Sequence, residues 1–412
     1  MVAIISQEKV SKTLISAAAL ALSMSTASAQ GLSDDIVKIG AMVDMSGVYS
    51  ANGGPGAVLA AEMAIEDYGS EVLGKPVELV SADYQNKVSV AQATASRWFD
   101  DEGVDMIVES MDSASALALF GLGDDRGRVT IGAGSATTRL TGEGCSKYGI
   151  HYVYDTFALA TGTGNAIVKE GNTDWYFITA DYAFGHSLEQ DTEQVVLANG
   201  GKVLGKVRHP LGTNDFASYL LQAQASGAQV VGLANAGTDF STAVKQANEF
   251  GITQGGQILA GMLVFLTDIE ALSLDVAQGM QFTTGYYWDY DAETREFAKR
   301  FYERHGGMPT MIHAGIYSAV TQYLKAIAAT GTDDADAVVK YMKSQPINDG
   351  FSRNGYIRED GRMVHDMYLA RIKTPAESES KLDMAEIVRV IPGDQSYRPL
   401  EMSECQYVSG NN

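Results

Sequence analysis

The chain has 412 residues, a formal net charge of −21, 45% apolar residues and 20% charged residues. Its length exceeds the roughly 250–300 residues that a single hydrophobic core organises, and its composition is globular, so two domains are expected. The negative balance excludes nucleic acid and anionic lipid surfaces as partners.

The chain opens with Lys9 and Lys12, an apolar run from Thr13 to Leu22, and the small residues Ala27-Ser28-Ala29. A membrane span needs about 20 apolar residues, so this run reads as the core of an export signal cleaved near Ala29. Residues 1–29 are therefore set apart, and the mature chain is expected in the periplasm. No cysteine follows the cleavage site, so no lipid anchor is expected. The signal carries Glu8, Lys9 and Lys12, a net +1, which leaves −22 on the remainder.

Strand-like and helical runs then alternate. Val37–Val43, Val77–Ala82, Met106–Glu109 and Val129–Gly132 read as strands, with helical spacing at Ala57–Tyr68 and Ser89–Asp100. Further strands are predicted at Trp175–Thr179, Gly201–Val207, Val230–Ala234 and Gly279–Thr284. Between them lie helical patterns at Leu188–Ala198, Phe216–Ala225 and Phe240–Phe250, and longer helices follow at Asp291–His305 and Ile312–Ala329. This alternation predicts α/β architecture with parallel, doubly wound sheets. The tail predicts a hairpin: Tyr356–Arg358, a turn at Glu359-Asp360-Gly361, then Met363–Ile372.

Three strands end in short polar loops: Asp44 to Tyr49, Ser110 to Ser115, and Gly134 to Thr138. In open parallel sheets ligands bind beyond the carboxyl ends of the strands. Unpaired N–H groups at helix starts, beside small hydroxyl residues, could together cradle a carboxylate; taken singly, each loop could equally be an ordinary N-cap. Cys145 and Cys405 are the two cysteines. An exported chain with two cysteines invites one disulfide, the alternative being two separate thiols.

Catalytic motifs were weighed and set aside. Gly69 to Lys75 has phosphate-loop spacing, but Pro76 stands where Ser or Thr should follow, and the segment runs from helix to strand. Gly162-Thr163-Gly164 lacks the third glycine of a dinucleotide loop. The six histidines are scattered, and no Gly-x-Ser-x-Gly elbow occurs. No enzyme, cofactor or metal is expected, and a secreted hydrolase is disfavoured.

Several segments carry a family resemblance. They are Ile39 to Gly47, Gly74 to Leu79, Asp181-Tyr182-Ala183-Phe184-Gly185, Asn235-Ala236-Gly237-Thr238-Asp239 through Phe250-Gly251, and Asp360-Gly361-Arg362. In this order and spacing the chain resembles the leucine-type periplasmic solute-binding proteins of ABC transporters. The resemblance implies the type I fold: two Rossmann-like, doubly wound lobes joined by three hinge strands, closing around a ligand. It implies a first lobe of residues 30–154 and 288–352 and a second of 155–287 and 353–412. Crossings are expected near Tyr154-Asp155, Gly285–Trp288 and Arg353–Tyr356.

By the same resemblance, Ser113, Gly134, Ser135 and Ala136 would hold a ligand carboxylate, with Asp112, Ser46 and Tyr49 beside them. Asp239 and Asn235 would face the ligand from the second lobe, with Tyr182 and Phe184 covering it. The bland alternative for Asp239 is a helix cap. Ala136 stands where amino-acid binders usually carry a Thr that helps hold the ammonium group. The candidate cleft is aromatic, with Tyr49, Tyr154, Phe157, Tyr182, Phe184, Tyr286, Tyr287 and Trp288, of which Tyr287 is also expected to touch the ligand; core and hinge packing is their alternative role. The expectation is therefore a periplasmic receptor handing a small aromatic or apolar carboxylate to the permease of an ABC importer. The rivals are a branched-chain amino acid as ligand, and a sensory module reporting to a membrane receptor.

Overall fold

The computed structural model describes residues 31–109 and 111–408. The expected signal and Ser110 lie outside these residues. Strand β1 (Val37–Val43) is a nearly continuous apolar run, as a parallel strand buried on both faces requires. With β2 (Glu71–Val72), β3 (Lys75–Asp83), β4 (Met106–Glu109), β5 (Val129–Gly132) and β6 (Gly149–His151) it forms a sheet of order β2-β3-β1-β4-β5-β6. All neighbours are parallel except the β2–β3 edge. Register places Ile39 between Leu79 and Met106, and Ile131 between Val108 and Ile150.

Helices cover both faces of this first lobe. Gly54–Tyr68 and Met311–Thr330 pack on one face; Val88–Asp100 and Ser113–Arg126 pack on the other. Gly40 is required by this packing, because a Cβ there would come 2.6 Å from the Trp98 ring. Asp291 caps the helix Ala292–His305 by accepting from Thr294 N–H at 2.9 Å, which fixes the start predicted from sequence.

The second lobe holds a parallel sheet of order β10-β9-β7-β8, made of β7 (Asp174–Ala180), β8 (Lys202–His209), β9 (Val230–Ala234) and β10 (Ile258–Gly261). Helix Ala183–Ala198 covers one face; Ala217–Ala225 and Gly237–Glu249 cover the other. An antiparallel sheet, β11-β14-β15, joins this core through Phe282, Ala370, Ile372 and Ala385. Its strands are β11 (Gln281–Thr284), β14 (Met367–Ile372) and β15 (Ala385–Ile391), while β12 (Tyr356–Ile357) and β13 (Met363–Val364) form a separate hairpin.

Met363–Ile372, predicted as one strand, is thus two strands in two sheets, broken at His365-Asp366. The reason is the hairpin's partners, which belong to the first lobe. Gly361 O accepts from His151 N–H at 2.9 Å, and Glu359 O accepts from Lys343 at 2.9 Å. The passage into the second lobe therefore falls at Val364–Met367, later than Arg353–Tyr356. Arg362, fully buried there, donates to Tyr154 O at 3.1 Å and lies under the Tyr397 ring. Hinge segments far apart in sequence are fastened together by this side chain.

The tail beyond Tyr397 also returns to the first lobe. Ser403 donates to Thr141 O at 2.7 Å, Tyr407 to Asp124 at 3.0 Å, and Cys405 is bonded to Cys145 across 260 residues. Arg398 in the same tail pairs with Asp191 of the second lobe at 2.9 Å.

Candidate functional site

The three polar loops lie at the carboxyl edge of the first sheet; the first two are organised by carboxylates and the third by the Ser113 hydroxyl, Tyr154 and His151. Asp44, at the end of β1, accepts from Gly47 N–H at 2.6 Å, Tyr49 N–H at 2.9 Å and Asn86 at 2.6 Å. This turns Tyr49 inward. Ser46 is exposed and donates instead to Asp83 at 2.8 Å, so the structure places it on the loop's outer side. At the end of β4, Glu109 accepts from Met111 N–H, Asp112 N–H and the Tyr84 hydroxyl at 2.9, 2.7 and 3.2 Å.

Asp112 is the N-cap of helix Ser113–Arg126, accepting from Ala114 N–H at 2.8 Å and Ser115 N–H at 3.3 Å. The anion position at that helix start is thereby filled by the chain's own carboxylate. Ser113 Oγ accepts from Ala136 N–H at 3.2 Å and Thr137 N–H at 3.1 Å. These hydroxyl and amide groups are thus spent on each other, and what Ser113 offers a ligand is its hydroxyl proton. Gly134 O accepts from Tyr154 OH at 2.6 Å, and Ser135 O pairs with His151 Nε2 at 2.7 Å. The loop Gly134 to Thr138 leads into a single 3-10 turn, Thr138–Thr141, in place of the expected helix.

The opposite wall is built from the ends of β7, β8 and β9. Tyr182 and the buried Phe184 meet at a ring separation of 5.9 Å, tilted by 47°, at the start of helix Ala183–Ala198. Beyond β9 come Asn235, Ala236 and Gly237. Gly237 has φ +61, and a Cβ there would lie 2.4 Å from Val48 O, so glycine lets the two lobes touch. Asp239 does not cap its own helix, whose N-cap is Ala236; it accepts from Gly212 N–H at 3.1 Å.

Several bonds cross between the lobes. Thr238 N–H donates to Val48 O at 3.1 Å, and the Tyr49 and Tyr182 hydroxyls meet at 2.5 Å. Asn52 donates to Thr267 and Asp268, each at 3.0 Å, and the Thr137 and Ser187 hydroxyls lie 2.7 Å apart. The conformation is closed.

Burial sets the electrostatics. Desolvation pushes the Glu109 carboxyl up to about 8, and the Asp239 and Asp268 carboxyls up to about 7. It also raises the Tyr49, Tyr84 and Tyr154 phenols well above their usual range, so they act as neutral hydroxyls. Among the described residues no group of His, Cys, Asp and Glu is arranged to hold a metal ion.

The structure brings the Tyr49 and Tyr182 hydroxyls together and sets Ser113 against the amides of Ala136 and Thr137, with Asp112, Gly134 and Ser135 on the same strand-end loops; Phe184 stands beside Tyr182, and Asn235 and Asp239 follow β9 on the facing lobe. It does not bring Tyr287 to these groups: that side chain is buried in the second lobe's core and donates to Ala385 O at 2.7 Å. Tyr286 donates to Thr294 O, and Phe157 lies beneath Arg398, so both serve packing. Asn52, Tyr84, His209, Phe265 and Asp268 also contact these segments, and sequence reasoning did not single them out. Glu109 alone left a trace, as an acid ending an apolar strand.

Residues 36–379 match the family described as periplasmic binding protein. A crystal structure of a periplasmic binding protein from Burkholderia mallei is 47% identical, with a TM-score of 0.89, covering 90% of this chain and 99% of that one. A branched chain amino acid ABC transporter periplasmic ligand-binding protein from Burkholderia xenovorans LB400 is 40% identical, with a TM-score of 0.80 and the same coverage. A solute binding protein from Rhodopseudomonas palustris HaA2, in complex with p-hydroxybenzoic acid, shares the fold at 22% identity and a TM-score of 0.80, covering 88% of this chain and 99% of that one.

Proposed function

Since this chain belongs to the periplasmic binding protein family, whose members bind solutes and are not enzymes, we propose that it captures a small organic acid with an aromatic or apolar body and delivers it to an ABC importer by hinge closure. The observation that carries this reading is the ring of inter-lobe hydrogen bonds around the strand-end loops, from Val48 and Tyr49 to Thr238 and Tyr182. Such contacts exist only when the lobes are shut, so a ligand that fits between them shifts the population toward the closed form. Phe184, Tyr154 and Phe265 supply apolar cover, the last two meeting edge to face at 6.3 Å. Ser113 supplies a hydroxyl donor. Glu109, protonated at neutral pH, does not repel an anion beside it.

A branched-chain amino acid is the second reading. It is favoured by Asp239, a carboxylate buried beside the cleft, and by the printed description of the Burkholderia xenovorans relative. The signal-like start supports a periplasmic location.

A thermal-shift screen of L-amino acids against aromatic and aliphatic carboxylates tests both readings. A ligand at 100 times its dissociation constant adds about 2.7 kcal/mol of stability. Stabilisation by aromatic acids alone supports the first reading, and stabilisation by leucine or valine alone supports the second. No shift from either group would remove the proposed ligand class.

A further inference from the structure

Two buried asparagines, one from each lobe, border the point where Gly237 meets the first lobe, and the orientation of each amide is dictated by its neighbours. His209 Nδ1 lies 2.9 Å from Pro210 O, which can only accept, so Nδ1 carries the proton. Burial lowers the His209 pKa and keeps the ring neutral, which leaves Nε2 as an acceptor. Asn235 Nδ2, 3.1 Å away, must therefore be the donor. Its Oδ1 then faces away from His209, fully buried and with no partner among the described residues.

Asn52 repeats the logic from the other side. Both of its amide hydrogens are spent on Thr267 Oγ1 and Asp268 Oδ1. Its Oδ1 is buried, without a partner among the described residues, and lies 3.1 Å from where a Cβ of residue 237 would stand. A buried acceptor left unpaired is costly, and neither amide can rotate without breaking the bonds that hold it.

We propose that the ligand presents an N–H or O–H donor group to Asn235 Oδ1 and Asn52 Oδ1, and that analogues with an apolar group at that end are rejected. This rests on the reading that the cleft is the ligand site. It deepens that reading by giving the ligand a donor end, whether phenol, alcohol or ammonium. A site built to hydrogen-bond such a group discriminates strongly against analogues lacking it, because its own buried groups are then left unpaired.

The test uses the full mature chain and two matched probe pairs by calorimetry: 4-hydroxybenzoate against 4-methylbenzoate, and L-leucine against 4-methylpentanoate. The donor-bearing member of whichever pair binds should be tighter by roughly 10- to 100-fold. The gap should collapse in Asn235→Leu. Equal affinities within either pair would overturn the proposal. Binding of the leucine pair only, with the same preference, would sustain it while removing the aromatic reading. Independently of any ligand, 15N-histidine NMR, assigned with His209→Gln, should show His209 as the neutral Nδ1–H tautomer at pH 7. An Nε2–H tautomer would mean that Asn235 points its NH2 group into the cleft, and the proposal would fall.

Discussion

Removing the Cys145–Cys405 bond should cost more than any single contact in the cleft. The bridge closes 260 residues, for which the loop-entropy relation gives roughly 5.5 kcal/mol. Native disulfides lost from small domains typically cost about 2–5 kcal/mol, so a loss of about 3–5 kcal/mol is expected for Cys145→Ala/Cys405→Ala. The cysteines also form a small apolar cluster with Val408 and Leu400, which the freed tail would give up. Guanidinium unfolding of oxidised wild type, reduced wild type, both single variants and the double variant measures the effect. The double variant should lose no more than either single one, because both single changes delete the same cross-link. Two alkylatable thiols in the unreduced protein, or a loss below about 1 kcal/mol, would refute the reasoning.

Three further perturbations probe the cleft. Ser113→Ala strips the acceptor from Ala136 and Thr137 N–H and the donor offered to the ligand, so affinity and stability should each fall by about 1–3 kcal/mol; calorimetry and melting curves that both match wild type would contradict this. Glu109 carries a folded-state pKa raised from 4.5 to about 8, so its contribution to stability is full below pH 4.5 and is lost as pH rises toward 8. Glu109→Gln, which keeps an oxygen for Met111 and Asp112 N–H, should therefore gain in melting temperature relative to wild type between pH 4.5 and 8; a pH-independent difference would count against the assigned shift. Asn52→Ala deletes the amide that reaches Thr267 and Asp268, so small-angle scattering should find a larger open fraction without ligand; an unchanged radius of gyration would show that this contact does not hold the lobes together.

Most strands of the two parallel sheets, their parallel sense and the polar loops at the strand ends were legible in the sequence, because these follow from local pattern, whereas β10 and the antiparallel pairing of β11 were not. A run such as Val37–Val43, apolar on both faces, can only be an inner strand, and a polar loop after it can only lie at the sheet's carboxyl end. The even cysteine count likewise anticipated the bridge. Local pattern failed for β6, where Gly149–His151 is too short to carry a period and is held by backbone bonds to Thr130–Gly132 and to Gly361. It failed at Met363–Ile372, where one apolar stretch serves two sheets, and for β15, whose exposed Val388 and Val390 break the alternation. Side-chain direction in the site was decided only by tertiary structure. Ser46 turns out to Asp83, Tyr287 turns into the core, and Ser113 is held by amides more than twenty residues on, at 136 and 137. The amide of Asn52 is oriented by partners 215 and 216 residues away, and that of Asn235 by a histidine on another strand. Periodicity is written along one dimension of the chain, whereas the direction of a hydrogen bond exists only once its distant partner is in place.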